Sequence, residues 1–185
     1  EQLGYNRPFA ERYWQFLTDA VQGDLGDSYR TRQPVMDEIM VRFPKTLRLA
    51  VLSLLTAMLI GIPLGILSAV RQYSKIDVIS TTMALLVAAI PTFWMGLLLM
   101  LLFSLQLNWL PASGSETWRH YIMPTTTLAL PLASSLLRLT RLTMLEVINQ
   151  DYIRTARSKG IRETAVVVLH AFKNASLPIV TSLGM

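Results

Sequence analysis

The sequence predicts an all-α membrane protein, and three observations support this fold class. Of its 185 residues, 52% are hydrophobic and only 16% are charged, against roughly a quarter charged in soluble domains. Two uncharged apolar runs, residues 49–70 and 78–107, each exceed the roughly 20 residues that a helix needs to cross a bilayer. The chain contains no cysteine, which excludes a disulfide framework and a thiolate metal site. A bundle of membrane helices explains this composition best.

Residues 1–44 are predicted to form an extracytoplasmic segment with short amphipathic helices. Pro8 suits the first turn of the first helix. The glycine-rich stretch 23–29 predicts a shaped loop, after which a second short helix starts near Pro34 and ends at Pro44. The apolar face of the first helix consists of Phe9, Tyr13, Phe16, Leu17, Ala20 and Val21.

Residues 45–185 are predicted to form the transmembrane domain. Its crossings are expected at about residues 45–70, 77–106 and 121–144, and the start of the next one at about residue 175. Gly61 and Gly65 are spaced to admit a neighbouring helix, and we favour this packing role over a direct contact with substrate. The second crossing is longer than needed, so a tilt or a kink at Pro91 must absorb the excess.

The distribution of basic residues predicts the orientation of the helices. The loop 71–75 contains Arg71 and Lys75, whereas the connection from Trp109 to Trp118 contains no basic residue and is followed by Arg119. By the positive-inside rule the first loop is cytoplasmic and the tryptophan loop lies outside. The excess of basic residues beside a membrane helix also argues against binding of nucleic acid.

Hydroxyl groups distinguish the third crossing from the other two. In hydrocarbon these groups need partners, which are either the carbonyls of their own helix, neighbouring helices or a hydrated cavity. As a set they make this crossing the candidate for a translocation pathway, although each one taken alone suits helix packing. The pathway candidates are Thr126, Thr127, Ser134 and Ser135.

Residues 146–174 are predicted to form a cytoplasmic helix, a sharp turn and a second helix. Asp151 can cap the first helix, Lys159 suits its last turn, and Gly160 can adopt the left-handed conformation that ends it. Tyr152 and Ala156 are expected on one face, and Arg154 and Arg157 on another. The pattern alone leaves two interpretations open: a rigid protrusion that enters a partner protein, or a basic helix lying on anionic lipids.

Here the sequence resembles a known family. The string DYIRTARSKG at residues 151–160, followed by HAFKNA at 170–175 and Pro178, resembles the EAA loop of ABC importer permeases in their dipeptide, oligopeptide and nickel branch. The segment GDLG at 23–26 and the string WLP at 109–111 also fit the first permease of the pair. The general importer motif has an acidic residue at the position of Arg154, two alanines where Thr155 and Ala156 stand, and a later leucine-proline where Phe172 and Lys173 stand. These departures look typical of the peptide and nickel branch.

The resemblance implies a type I ABC importer permease bundle with a six-helix core in the full protein. About three and a half of these helices, the second to the fourth and the start of the fifth, are expected here, so we interpret the chain as an excerpt. The implied partners are a second permease, two cytoplasmic ATPase subunits, an extracytoplasmic substrate-binding protein and the bilayer of a bacterial or archaeal cytoplasmic membrane. The residues implied in ATPase docking are Tyr152, Arg154, Thr155, Ala156, Arg157, Lys159 and Gly160.

No catalytic, cofactor-binding or metal-binding residues are predicted in this chain. It lacks a phosphate-binding loop ending in Gly-Lys-Ser or Gly-Lys-Thr, so ATP and Mg²⁺ are expected only in the ATPase partners. The substrate stays open among dipeptides, oligopeptides, glutathione and nickel complexes, and family breadth favours peptides.

Two other classes of membrane protein fit the sequence less well than an importer permease does. A secondary transporter or channel usually carries ionisable groups within its crossings, yet no carboxylate is predicted at the centre of a crossing. An intramembrane enzyme needs a catalytic set, but His120 and His170 are expected at opposite membrane faces and no HExxH motif exists. His120 is interpreted as structural rather than as a nickel ligand.

Overall fold

The computed structural model describes residues 8–183, and the chain divides into two compact units, Glu1–Arg48 and Leu49–Met185. The predicted all-α class is confirmed, because every regular element within residues 8–183 is a helix. An isolated antiparallel bridge between Asp27 and Pro34 is the one β contact in that range.

The first unit contains helix α1, Phe9–Val21, and the start of helix α2, Val35–Val70. Pro8 is the residue that caps α1 rather than a member of its first turn. In the loop that follows, Gly23 and Gly26 adopt positive φ angles of 87° and 72°, which glycine accepts without steric cost. The amide of Gly26 is held by the side chain of Asp24 at 2.8 Å.

The predicted helix end at Pro44 is wrong. Helix α2 continues through this proline from Val35 to Val70 without a break. Proline fixes φ near the helical value but removes a backbone donor and crowds the preceding turn. Prolines inside apolar membrane helices are tolerated when surrounding groups satisfy the carbonyl that the proline frees. The rule that proline ends a helix therefore misled the sequence interpretation.

The second unit contains the rest of α2 and all the later helices. Within the described residues, three helices are long and apolar enough to cross a membrane, namely Val35–Val70, Arg119–Ile148 and Glu163–Ser182, and a bent pair can supply a fourth crossing. The elements after α2 are α3 (Lys75–Ala89), α4 (Thr92–Leu99), a π-helical turn (Met100–Gln106), α5 (Arg119–Ile148), α6 (Asp151–Ser158), α7 (Glu163–Ala165), a second π-helical segment (Val166–Phe172) and α8 (Lys173–Leu183).

The bent pair coincides with the long second crossing that the sequence predicts. Helices α3 and α4 meet at an angle of 97°. Ile90 is extended, with φ −83° and ψ 122°, and Pro91 starts the next helix. A residue before proline avoids the helical region, so the bend lies where a kink was expected but breaks the helix instead of curving it.

Small residues allow α2 to pack closely on α5. A Cβ at Gly61 would lie 2.6 Å from the carbonyl oxygen of Ala133, and one at Gly65 would lie 2.7 Å from that of Leu137. The contacts advance along both helices in the same direction, so the two helices run parallel. The packing role predicted for the two glycines is therefore confirmed. The buried stripe on α2 has a spacing of four residues and consists of Ser53, Ala57, Gly61, Gly65 and Ala69.

Two hydrophobic clusters form the core of this unit. One lies between α2, α5 and α8 and contains Ala57, Ala129, Ala133, Leu136 and Ile179. The other, which we call the inner cluster, joins the ends of α2 and α5 to α6 and the helix after it. Its buried members are Ala69, Met144, Ile153, Ala156, Val166, Val167, Ala171 and Ala175.

Candidate functional site

Helix α6 starts one residue earlier than its sequence indicated. Gln150 is extended, with φ −74° and ψ 150°, and occupies the capping position without a side-chain cap. The predicted cap at Asp151 is therefore wrong, because the chain uses Gln150 to reverse direction after α5 and Asp151 becomes the first helical residue. Its carboxylate still suits the positive end of the helix dipole, and it lies 3.7 Å from Arg154.

The inward face of α6 is formed by Ile153 and Ala156, which are 0% and 6% exposed. Both belong to the inner cluster with Met144 and Val166. Burial of an isoleucine side chain of this kind contributes about 2 kcal/mol, so α6 is anchored on the end of α5. The side chain of Ala156 thus packs within this chain.

Tyr152 does not share the buried face with Ala156, contrary to the predicted pairing. Its side chain is 43% exposed, and its hydroxyl accepts a hydrogen bond of 3.0 Å from the Asn174 side chain. The buried residues of α6 are instead Ile153 and Ala156, which are three positions apart. The aliphatic side chain of Ile153 was the feature of the sequence that could have predicted this buried face. Tyr152 instead ties the exposed side of α6 to the start of α8.

The outward face of α6 is basic, as predicted. The Arg154 side chain is 78% exposed. Arg157 forms two hydrogen bonds to the Glu163 carboxylate, of 3.1 and 2.7 Å, and these bonds raise the pKa of Arg157 above its ordinary value. Arg157 therefore bridges α6 to the start of α7, while Arg154 is mostly exposed to solvent and lies near Asp151 of its own helix.

The turn after α6 has the predicted left-handed glycine. Gly160 has a φ of +75°, and a Cβ added there would meet no atom within 4 Å. Lys159 caps the helix and is exposed. Thr155 is also exposed and donates its hydroxyl hydrogen to the Asp151 carbonyl at 3.0 Å. The tip of this helix-turn-helix is thus an open protrusion, and Gly160 provides the left-handed backbone conformation that its turn uses.

The helix that follows the protrusion contains a π-helical segment. Within Val166–Phe172 the side chains of Val166, Val167 and Ala171 are buried in the inner cluster. A π-helix has a wider turn than an α-helix, so residues five apart, such as Val166 and Ala171, share one face. This segment holds the protrusion against α5.

The four pathway candidates on α5 satisfy their hydroxyls within their own helix. Each donates to the carbonyl four residues earlier, at 2.8 Å from Thr126 and Thr127, 2.9 Å from Ser134 and 3.2 Å from Ser135. Of the partners considered from the sequence, the structure therefore shows the backbone carbonyls. Ser134 is 5% exposed, while Ser135 is exposed. The two neighbouring side chains therefore lie on a buried and an exposed side of α5. Their role in a pathway stays a prediction.

Other hydroxyls in the same region lack such partners. Among residues 8–183, four buried side-chain hydroxyls have no hydrogen-bond partner: Ser53, Tyr121, Thr125 and Thr140. Thr140 lies against Gly65 at the α2–α5 contact. Thr125 belongs to the hydroxyls of the third crossing that were expected to need partners, whereas Ser53, Tyr121 and Thr140 were not singled out from the sequence.

An ion pair between α3 and α5, formed by the buried Asp77 and the partly exposed Arg141, was not predicted from the sequence. Arg141 Nε lies 2.6 Å from Asp77 Oδ1, and Arg141 Nη2 lies 2.9 Å from Asp77 Oδ2. The amide of Tyr73 donates to Asp77 Oδ2 at 2.9 Å. Asp77 is 3% exposed. Opposite charges near the inner ends of two crossings were the available signal, but Asp77 was interpreted only as a residue at a helix end.

The histidine predicted to be structural lies in a small polar network. His120 Nε2 is 3.1 Å from Glu116 Oε2, and His120 Nδ1 is 2.9 Å from the Thr117 hydroxyl. Across residues 8–183, no group of three or more His, Cys, Asp or Glu side chains is arranged to hold a metal ion.

Comparison with known proteins identifies the family. Residues 61–185 match the family described as "Binding-protein-dependent transport system inner membrane component". The chain is 43% identical over all 185 residues to the "Glutathione transport system permease protein GsiC" of Pectobacterium atrosepticum. It is 42% identical over its whole length to the proteins of the same name from Escherichia coli strain K12 and Salmonella choleraesuis. The chain spans 60% of the length of each of these relatives.

The match covers α5, α6, the Gly160 turn and the helix after it, which are the elements that carry the sequence resemblance. The chain therefore belongs to the family of binding-protein-dependent transport system inner membrane components, as its sequence resemblance predicted.

Proposed function

We propose that this chain is the membrane-spanning subunit of an ATP-driven importer and that α6, with its Gly160 turn, docks into a cytoplasmic ATPase subunit. The observation that carries this proposal is the two-sided character of α6. Ile153 and Ala156 anchor it to the end of α5, while Arg154 and Lys159 extend outward. An element built in this way can transmit a push from a partner to a membrane helix.

The docking surface consists of the exposed members of the predicted set. These are Tyr152, Arg154, Thr155, Arg157 and Lys159, with Gly160 shaping the turn. Ala156 contributes by packing inward, which holds the surface at a fixed position. Closure of the ATPase subunits on ATP then moves α6 and α5 together, and the crossings change from inward-facing to outward-facing.

The proposed assembly contains a second permease, two ATPase subunits and an extracytoplasmic substrate-binding protein. It lies in a bacterial or archaeal cytoplasmic membrane, with the 71–75 loop and α6 on the cytoplasmic side. ATP and Mg²⁺ bind to the ATPase subunits, and this chain itself has no catalytic role. The family description, which names a binding-protein-dependent system, supports this set of partners.

The proposed substrate is a short peptide of the glutathione kind. The relatives that match this chain over its full length are named for glutathione transport, and glutathione is a tripeptide. The α5 hydroxyls Thr126, Thr127, Ser134 and Ser135 are the proposed pathway groups, because hydroxyl side chains within a membrane crossing can line a hydrated cavity.

Uptake by reconstituted vesicles tests this function. The assembled complex is placed in proteoliposomes with the binding protein, and the entry of radiolabelled glutathione, a dipeptide and Ni²⁺ is compared with and without ATP. We expect peptide uptake that requires ATP, the ATPase subunits and the binding protein. Uptake that persists without the ATPase subunits and follows a proton gradient would contradict the proposal and favour a secondary transporter.

A further inference from the structure

We propose that Asp77 and Arg141 form a positioning pair that makes α3 move together with α5 and α6 when the transporter changes conformation. This inference rests on the proposed function, because it assigns these residues a role in coupling. The pair is separate from the docking surface, since neither residue belongs to α6 or to the turn at Gly160.

The geometry of the pair fixes orientation as well as distance. Both carboxylate oxygens of Asp77 accept from the Arg141 guanidinium, at 2.6 and 2.9 Å. A two-point arginine–carboxylate contact restrains the planes of both groups, which a single point contact cannot do. The third hydrogen bond, from the Tyr73 amide, extends the restraint to the turn before α3.

The turn between α2 and α3 does not need Arg141 in order to form. The amide of Ser74 donates to the Arg71 carbonyl at 3.1 Å, and the Ser74 hydroxyl accepts from the Asp77 amide at 3.3 Å. These bonds close the turn and cap α3 locally. The contribution of Arg141 is therefore a link between two helices whose paired residues are 64 positions apart in the chain.

The pair also lies next to the anchor of α6. Arg141 precedes Met144 by about one helical turn, and Met144 is 0% exposed in the inner cluster with Ile153 and Ala156. The two helices that flank the turn are also joined directly, because the Ser68 hydroxyl of α2 lies 2.6 Å from the Ser80 hydroxyl of α3. A displacement of α6 thus has a continuous route through α5 to α3.

A buried ion pair is weak evidence for stability, because its attraction is offset by the loss of hydration of both charges. A role in alignment makes a different prediction from a role in stability. Loss of alignment lowers the amount of solute moved per ATP hydrolysed, whereas loss of stability lowers the amount of assembled complex.

The test compares Asp77→Asn, Arg141→Lys and Arg141→Gln in the assembled transporter, with Arg138→Gln as the matched control. Arg138 is exposed on the same helix. We expect the Asp77→Asn and Arg141→Gln complexes to hydrolyse ATP but to move about tenfold less solute per ATP, within the usual range of coupling between sites. Arg141→Lys keeps the charge and loses the two-point contact, so its loss should be intermediate. Arg138→Gln should leave the ratio unchanged.

A distance measurement separates this inference from the proposed function. Spin labels at Arg71→Cys and Glu146→Cys, both exposed positions near the turn and the end of α5, report on the alignment without any transport. We expect a narrow distance distribution in the unaltered complex and a broad one with Asp77→Asn. If ATP fails to drive uptake but the distribution still broadens, the importer proposal fails and the positioning role stands. The positioning role would be overturned if the distance distribution stayed narrow with Asp77→Asn. It would also be overturned if uptake fell only in proportion to the amount of assembled complex.

Discussion

The backbone of Gly61 in α2 lies directly against the backbone of Ala133 in α5. A Cβ on Gly61 would be 2.6 Å from the Ala133 carbonyl oxygen, a distance that real side chains do not adopt. The atom of Ala133 that a Cβ on Gly61 would meet belongs to the main chain, so rotation of a side chain cannot relieve the clash. The separation of the two helices is therefore set at this point.

Gly61→Ala is expected to destabilise the protein by about 1–3 kcal/mol, the usual cost of overpacking a tight contact. The measurement is the midpoint of thermal unfolding in detergent. Gly96→Ala is the matched control, because a Cβ there would meet its nearest atom, in Thr127, at an ordinary 3.5 Å. Equal midpoints for the two variants would contradict the close α2–α5 contact.

The turn at Gly160 makes a prediction of a different kind, since space is not limiting there. Gly160→Val places a branched residue at a φ of +75°, which costs about 1–2 kcal/mol for an ordinary residue. We expect this variant to hydrolyse ATP but to lose uptake, because the tip of the protrusion must change shape. The measurement is the ratio of solute moved to ATP hydrolysed in vesicles.

Gly160→Asn is the control for this turn, because asparagine tolerates the left-handed conformation far better than valine does. It should retain most of the uptake. Normal assembly and unchanged transport with Gly160→Val would count against a role for the turn in coupling.

Local features of the sequence predicted local features of the structure well. The left-handed Gly160 and the change of helix direction at Pro91 each follow from the conformational limits of one residue type. These limits act within a few residues and do not depend on the rest of the fold. For this reason the helix-turn-helix of 151–165 could be predicted without knowledge of its neighbours.

Features that depend on contacts between distant segments could not be predicted in the same way. Asp77 looked like a helix-end residue until α5 placed Arg141 beside it. The buried face of α6 passes through Ile153 because the inner cluster lies on that side. Pro44 does not end α2, because a proline within a long apolar helix is tolerated where surrounding groups satisfy the carbonyl that it frees.

The Arg157–Glu163 pair is expected to contribute only about 0.2–1 kcal/mol, because both side chains are substantially exposed. The interaction free energy of the pair is measured by a double-mutant cycle with Arg157→Gln and Glu163→Gln, using amide exchange in residues 151–158 as the readout. The coupling should weaken in high salt as the charges are screened. Arg154→Gln serves as the control on the same helix. If Arg154→Gln lowered the protection of these amides from exchange as much as Arg157→Gln does, the bridging role of Arg157 would be contradicted.

Ser134 and Ser135 provide a matched pair for the pathway on α5. Both donate to a backbone carbonyl, but Ser134 is 5% exposed and Ser135 is exposed. If the exposed side of α5 lines the route, Ser135→Ala should reduce uptake or change the preference between glutathione and a dipeptide. Ser134→Ala should have the smaller effect, because the Ser134 side chain is buried. The reverse order of effects would place the route on another face of the helix.

Crosslinking from the protrusion tests the central claim most directly. The 185 residues contain no cysteine, so Lys159→Cys introduces a single reactive site at the tip of α6, and Trp118→Cys introduces one at the start of α5 as a control. In the assembled transporter we expect Lys159→Cys, and not Trp118→Cys, to crosslink to the ATPase subunit, with a yield that changes when ATP is added. Failure of Lys159→Cys to reach the ATPase, with the complex intact, would contradict the docking of α6.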